Sequence, residues 1–243
     1  MKPFLILQLR PEDAASDNEY EAFLRAGGLT MQQTHRIRME RDGIPPLDLG
    51  AFSGVIVGGG PYCVSDTVKP PEQLRFERQL TELLEEIIET DFPYLGACYG
   101  IGILSRHLGG RVLKEKYSEG VGAVTVRLCE AGRHDPLLST VKTEFRAFGG
   151  HKEACQDVPE GAVLLAGSET CPFQMIKVKN NIYASQFHPE LDSGGLALRI
   201  NTYRHAGYFP PQEADQLIAL TAKEKVTEPE KIFKSFIDRY KKF

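Results

Sequence analysis

Phe92-Pro93-Tyr94-Leu95-Gly96-Ala97-Cys98-Tyr99-Gly100-Ile101-Gly102-Ile103-Leu104 is the stretch on which the reading of the fold turns. Phe92 to Ala97 is a short apolar run of the kind that forms a buried strand, and Ile101 to Leu104 reads as the start of a helix. Between them, Gly96-Ala97-Cys98-Tyr99-Gly100 fits a strand-to-helix turn of the G-x-nucleophile-x-G type, which forces its central residue into a strained backbone conformation. Small flanking residues are needed because side chains there would collide with neighbouring backbone. The geometry would hold the Cys98 sulfur in the open at the C-terminal edge of a sheet. The helix N-terminus beside it favours thiolate over thiol, which predicts a lowered pKa.

The flanking sequence repeats the strand–helix alternation. Phe4 to Leu9 reads as a strand, followed by a helical stretch through Tyr20, Phe23 and Leu24 to the glycine pair at 27–28. Val55-Ile56-Val57 reads as another strand and runs into Gly58-Gly59-Gly60-Pro61. From Glu72 to Glu89, the apolar residues Leu80, Leu83, Leu84, Ile87 and Ile88 recur at helical spacing. This order predicts an α/β fold with a mainly parallel central sheet flanked by helices.

From Gly120 to Gln186 the texture changes to successive strands: Val121–Leu128, Glu144–Phe148, Ala162–Ala166, Phe173–Val178 and Ile182–Gln186. Antiparallel pairing among several of them makes the expected sheet mixed. The expected division is a main domain over 1–207 and a helical extension over 208–243 packed on it. In the extension, Thr227-Glu228-Pro229-Glu230 fits a capping box. Ile232, Phe233, Phe236, Ile237 and Tyr240 form one apolar stripe, for which docking on its own domain and docking on another subunit both remain open.

Composition narrows the function classes. The chain has 243 residues, 42% hydrophobic and 26% charged, which is ordinary for a soluble globular protein and enough for a substantial core. A formal charge of −4 supplies no basic field for nucleic acid. Phe4-Leu5-Ile6-Leu7 is too short for a secretory h-region, and no apolar stretch approaches bilayer-spanning length. The five cysteines, Cys63, Cys98, Cys129, Cys155 and Cys171, are odd in number and lack C-x-x-C spacing. Reduced thiols in a cytoplasmic protein are therefore expected, with no disulfide framework and no metal site.

A thiol nucleophile needs an imidazole within reach and a third group to orient it. Ile182-Tyr183-Ala184-Ser185-Gln186-Phe187-His188-Pro189-Glu190 supplies both: a strand-like run, a histidine, and a carboxylate two residues later across a stiffening proline. Glu190 can accept from one ring nitrogen of His188 while the other faces Cys98. His35, His107, His134 and His205 have no comparable setting.

With these residues in place, the sequence over about 4–207 resembles the class I (triad-type) glutamine amidotransferases. It is most similar to the amidotransferase domain of GMP synthase and its stand-alone relatives. Gly59-Gly60-Pro61 matches the glycine-rich oxyanion loop, Gly96–Gly100 the nucleophile elbow, and Gln186-Phe187-His188-Pro189-Glu190 the Q-F-H-P-E motif. Gly150-His151-Lys152-Glu153 looks like a variant of the S-H-G-D segment. The resemblance implies a Cys98–His188–Glu190 triad that hydrolyses a γ-glutamyl amide through a thioester. It implies an oxyanion hole of backbone N–H groups from Gly60 and Tyr99, and no cofactor. Gly59, Gly102, Gly150, His151, Gln186 and Phe187 become the candidate substrate contacts.

In many members the released ammonia passes to a synthetase, so a separate synthetase subunit is an implied partner; no synthetase domain is expected on this chain, and homo-oligomerisation stays open. The sequence departs from the pattern at Gly102, where the family carries a substrate-holding glutamine, and at Lys152-Glu153 in place of Gly-Asp. A glycine at 102 would remove hydrogen bonds and leave room beside the nucleophile. That points either to free glutamine held by other groups or to a γ-glutamyl conjugate. The competing class is a catalytically idle binding or regulatory subunit. Cys63, two residues past Pro61, reads as a bystander thiol.

Overall fold

Alternation along the first apolar run divides its side chains between two faces. Phe4 and Ile6 lie on one, Leu5 and Leu7 on the other, and all four are fully buried. Such a strand belongs inside a sheet covered by helices on both sides. The computed structural model of the chain, which describes residues 1–242, has that architecture.

The first half runs β1 (Phe4–Gln8), α1 (Asp13–Gly27), β2 (Thr34–Arg38), α2 (Met39–Asp42), β3 (Gly54–Val57), α3 (Pro71–Thr90), β4 (Tyr94–Ala97) and α4 (Tyr99–His107). The middle consists of β5 (Val112–Leu113), β6 (Glu119–Leu128), α5 (Glu130–His134), β7 (Glu144–His151), β8 (Ala154–Cys155), β9 (Ala162–Gly167), β10 (Met175–Val178) and β11 (Ile182–Ser185). Three helices follow: α6 (Ser193–Thr202), α7 (Ala214–Thr221) and α8 (Glu228–Tyr240).

The nine-stranded sheet has the order β2-β1-β3-β4-β11-β10-β9-β6-β7. Pairing from β2 to β11 is parallel, and pairing from β11 to β7 is antiparallel. The mixed sheet expected from the change of texture is thus two half-sheets joined at β11. β5 and β8 pair separately.

Each face of the sheet has its own apolar layer. On one, Leu5, Leu7, Val55, Val57 and Ala184 meet Phe76, Leu80, Leu84 and Ile87 of α3. On the other, Phe4, Ile6, Ile56 and Tyr183 meet Phe23 of α1 and Phe233 and Phe236 of α8. α3 begins at Pro71, whose missing N–H costs nothing in a first turn. α1 ends at Gly28 with φ 61°, a left-handed cap that suits glycine.

Two local expectations differ from the structure. β2, Thr-His-Arg-Ile-Arg, is an edge strand that the apolar pattern did not disclose. At the start of α8 the capping box does not form, because the Thr227 side chain makes no cap hydrogen bond. Glu228 instead accepts from the backbone N–H of Lys142 at 3.1 Å and from Lys231 at 2.8 Å. The stripe Ile232, Phe233, Phe236, Ile237 and Tyr240 is buried within the chain. No helix among the described residues is long and apolar enough to cross a membrane.

Candidate active site

The register of one strand pair assembles the site. β4 and β11 are parallel neighbours with Ala97 opposite Ser185, and the Cys98 N–H donates to the Ser185 carbonyl at 2.8 Å. Both chains leave the sheet at this C-terminal edge, the usual location of ligand crevices in open α/β sheets. Cys98 leaves with φ 52° and ψ −92°, the strained conformation expected of a nucleophile elbow, and α4 begins at the next residue. A Cβ on Gly96 would lie 2.8 Å from the backbone carbon of Gly100, so the elbow closes only without one.

His188 follows β11 by three residues and is anchored by its N–H to the Phe148 carbonyl of β7 at 3.0 Å. Its Nδ1 lies 2.9 Å from Glu190 Oε1. The other side of the ring faces the elbow. A Cβ built on Gly59 would stand 3.1 Å from His188 Nε2 and 3.2 Å from the Cβ of Cys98. Cys98 and His188 therefore converge on Gly59, which leaves no space for any side chain. Gly60 is constrained separately, since its Cβ would lie 2.6 Å from the Leu9 carbonyl oxygen.

Electrostatics modify the expected thiolate. Burial pushes the Cys98 thiol up to about 12, with Arg10 and Arg199 acting in the opposite sense. Burial also lowers His188, helped by the charges of Arg199 and Arg10 and opposed by Glu190. Burial thus works against the lowered thiol pKa expected from the helix N-terminus, and against charge on the imidazole beside it. Burial alone would raise Glu190, but His188 and Arg199 together hold it well below the ordinary carboxylate range. Arg199 contributes through Nη2, which donates to Glu190 Oε1 at 2.9 Å.

Arg199 belongs to a buried ionic group absent from the sequence reading. Arg10, two residues past β1, donates Nε to Glu19 Oε1 at 2.8 Å and Nη1 to the Tyr203 hydroxyl at 3.3 Å. Gln8 donates to the other Glu19 oxygen at 2.9 Å. Arg10 and Arg199 are 3% and 6% exposed, and both border the cavity that holds Cys98 and His188. The ligand atoms of Glu19, His188 and Glu190 lie close enough to share a cation. Both carboxylates already face guanidinium groups, however, so a metal ion there would be repelled by two fixed positive charges.

Cys98 stands between two cavities. One, with about 470 Å³ of space partly open to solvent, is bordered by Arg10, Gly60, Gly150, His188 and Arg199. The other, about 330 Å³, is bordered by Cys63, Tyr99, Gly102, His151, Glu153 and Gln186. Tyr208 borders both, with its hydroxyl 3.4 Å from the Gly60 carbonyl. Gln186 Nε2 lies 4.0 Å from Cys98 Sγ. Phe187 is not brought to the site: it is buried, edge-on to Phe145 in the core. Both ring nitrogens of His151 face protein oxygens, the Glu153 carbonyl at 2.9 Å and Glu119 Oε2 at 3.0 Å.

Gly102 borders the second cavity, with Val64 and Glu153 closing one side of it. A Cβ there would lie 3.3 Å from Val64 and 3.5 Å from Glu153 Oε1. The Glu153 carboxylate accepts the N–H groups of Val64 and Ser65 at 2.8 and 2.9 Å and so fixes the loop after Gly60. Cys63 is buried in this loop, its thiol pushed up to about 11 by burial and by Glu153.

Comparison with known proteins identifies the family. The family model described as glutamine amidotransferase class-I matches residues 25–200, a span that includes Cys98, His188 and Glu190. A GMP synthase [glutamine-hydrolyzing] of Streptococcus thermophilus is 33% identical over 141 residues, 57% of this chain and 24% of that protein. One from Synechocystis is 31% identical over 163 residues, 65% of this chain and 27% of that protein. The chain thus spans about a quarter of the length of these curated relatives. The crystal structure of a glutamine amidotransferase from Thermotoga maritima superposes with a TM-score of 0.79 at 20% identity, covering 99% of this chain and 98% of that one. A glutamine amido transferase structure from Methylobacillus flagellatus gives 0.74 at 20% identity, covering 100% and 97%. With its family match spanning the elbow and the histidine–glutamate pair, the chain belongs to the class-I glutamine amidotransferase family.

Proposed function

We propose that the chain hydrolyses a γ-glutamyl amide, glutamine or a γ-glutamyl conjugate, through a Cys98 thioester. The observation that carries this reading is the β4–β11 register, which sets the elbow cysteine and a carboxylate-bound histidine at adjacent strand ends. The γ-glutamyl group would occupy the cavity beside Gly102 and Gln186, the side on which the family glutamine would stand.

His188 removes the thiol proton as sulfur attacks the side-chain carbonyl. Backbone N–H groups of Gly60 and Tyr99 receive the negative charge that develops on the carbonyl oxygen. His188 then protonates the nitrogen, the C–N bond breaks and the amine or ammonia leaves. Water, deprotonated by His188, cleaves the thioester, releasing glutamate and regenerating the thiol. Glu190 and Arg199 keep the imidazole oriented throughout. Where the substrate is glutamine, the ammonia would serve a separate synthetase, as the names of the GMP synthase relatives favour.

The test is glutamate and ammonia release from glutamine and from a panel of γ-glutamyl amides, together with labelling by a γ-glutamyl chloroketone. We expect labelling to disappear in Cys98→Ala and to persist in Cys63→Ala. Absence of both labelling and turnover would leave the idle regulatory subunit as the better description.

A further inference from the structure

The cavity on the far side of Cys98 from Gly102 has a chemistry that ammonia does not need. Leu191, Leu196, Ile200 and Phe209 give it apolar walls, and two buried arginines, Arg10 and Arg199, border it. Arg199 uses Nη2 on Glu190, while its buried Nε and Nη1 have no hydrogen-bond partner among the described residues. Arg10, which borders the same cavity, commits Nε to Glu19 and Nη1 to Tyr203 and leaves Nη2 uncommitted. Buried donors are ordinarily satisfied, and an unmet one costs about 1–3 kcal/mol. Arg199 carries two. An apolar chamber with unspent guanidinium donors is built for an anionic group on an apolar body.

We propose that this cavity receives the leaving half of a γ-glutamyl amino acid, its carboxylate on the free donors of Arg199 and Arg10 and its side chain against the apolar wall. The assignment rests on the hydrolase reading above for the placement of the γ-glutamyl half across Cys98. In the reaction the amide C–N bond breaks, the thiol proton passes through His188 to nitrogen, and the free amino acid leaves from the arginine-lined side. Water then supplies the hydroxyl that converts the thioester to glutamate.

Two ligands that differ by one carboxylate test the idea: γ-glutamyl-leucine and γ-glutamyl-isopentylamide. Titrated calorimetrically into Cys98→Ala protein, the first should bind roughly tenfold tighter or more, in line with a charge-assisted pair. Adding Arg10→Gln should bring the ratio towards one. Should that variant not fold, the two-ligand comparison decides alone, and equal affinities overturn the proposal. Turnover by the unsubstituted chain separates the two failures. Hydrolysis of glutamine with equal ligand affinities removes the leaving-group pocket and leaves the hydrolase. Carboxylate discrimination without turnover of any γ-glutamyl amide removes the hydrolase and leaves the pocket.

Discussion

Cys98, His188 and Glu190 could be located from local motifs because each motif carries its own geometry: a glycine-flanked turn, and a histidine tied to a carboxylate through proline. Arg10 and Arg199 carried no such mark. A charged residue is ordinarily solvated, and Arg199 lies in Leu-Ala-Leu-Arg-Ile with nothing to distinguish it. The usable signal was position: Arg10 follows the C-terminal end of a strand buried on both faces, where parallel sheets place their ligands. These arginines matter to the pH profile. Because burial and Arg199 lower His188, the acid limb of kcat/KM should fall below about pH 6.5, the free imidazole value. Arg199→Gln removes a positive charge that disfavours imidazolium, so His188 should titrate higher and the acid limb should move to higher pH. Rate–pH profiles of both proteins check this; a limb that moves to lower pH, or stays fixed while activity drops, would contradict the assigned role.

At the scale of elements, strands with continuous apolar runs were legible and those without were not. β2 is held by parallel pairing to β1 from Thr34 to Arg38, yet it presents Thr34, Arg36 and Arg38, whose side chains bond to Tyr20, Gln8 and Glu40. An edge strand need not bury both faces, so its sequence lacks the apolar mark. The junction of β6 and β7 hid a second feature. Glu119 accepts from His151 at 3.0 Å, Ser168 at 2.8 Å, Gln174 at 2.6 Å and also Thr170, tying two strands to the 168–174 loop. Burial raises the Glu119 pKa, but these donors outweigh it and hold the group below its ordinary value. A depressed carboxylate stabilises the fold above its unfolded pKa of about 4.3, and that contribution fades as pH falls through the folded value. Glu119→Gln sets an amide NH₂ against several donors and should cost about 2–4 kcal/mol at neutral pH. Urea unfolding should show the gap to the unsubstituted chain narrowing below pH 4. A gap that widens on acidification would mean that the carboxylate is not the hub.

For the whole molecule, the packing of the last helix and the assembly of the elbow rest on different contacts. α8 covers the face opposite α3 and α4, stacking Phe233 on Phe23 at 5.3 Å between centroids and setting Phe236 6.3 Å from Phe4. The Lys2 N–H donates to the Lys242 carbonyl at 2.9 Å, so the strand that begins the sheet is clasped to the residues after the last helix. The elbow depends on other contacts: the β4–β11 register, the absence of a Cβ at Gly59 and Gly96, and the Glu153 clamp on the loop beyond Gly60. Cutting Phe236 to alanine opens a cavity in a layer with no space to spare and should cost about 3–5 kcal/mol. The Cys98 environment should be almost untouched, because no residue of α8 borders either cavity beside it. Urea unfolding of Phe236→Ala should give a midpoint well below that of the unsubstituted chain. The rate of Cys98 alkylation in the absence of urea should change by no more than about twofold, since sites without shared partners act nearly independently. A large change in alkylation at unchanged stability would reverse the assignment, making α8 part of the site's support.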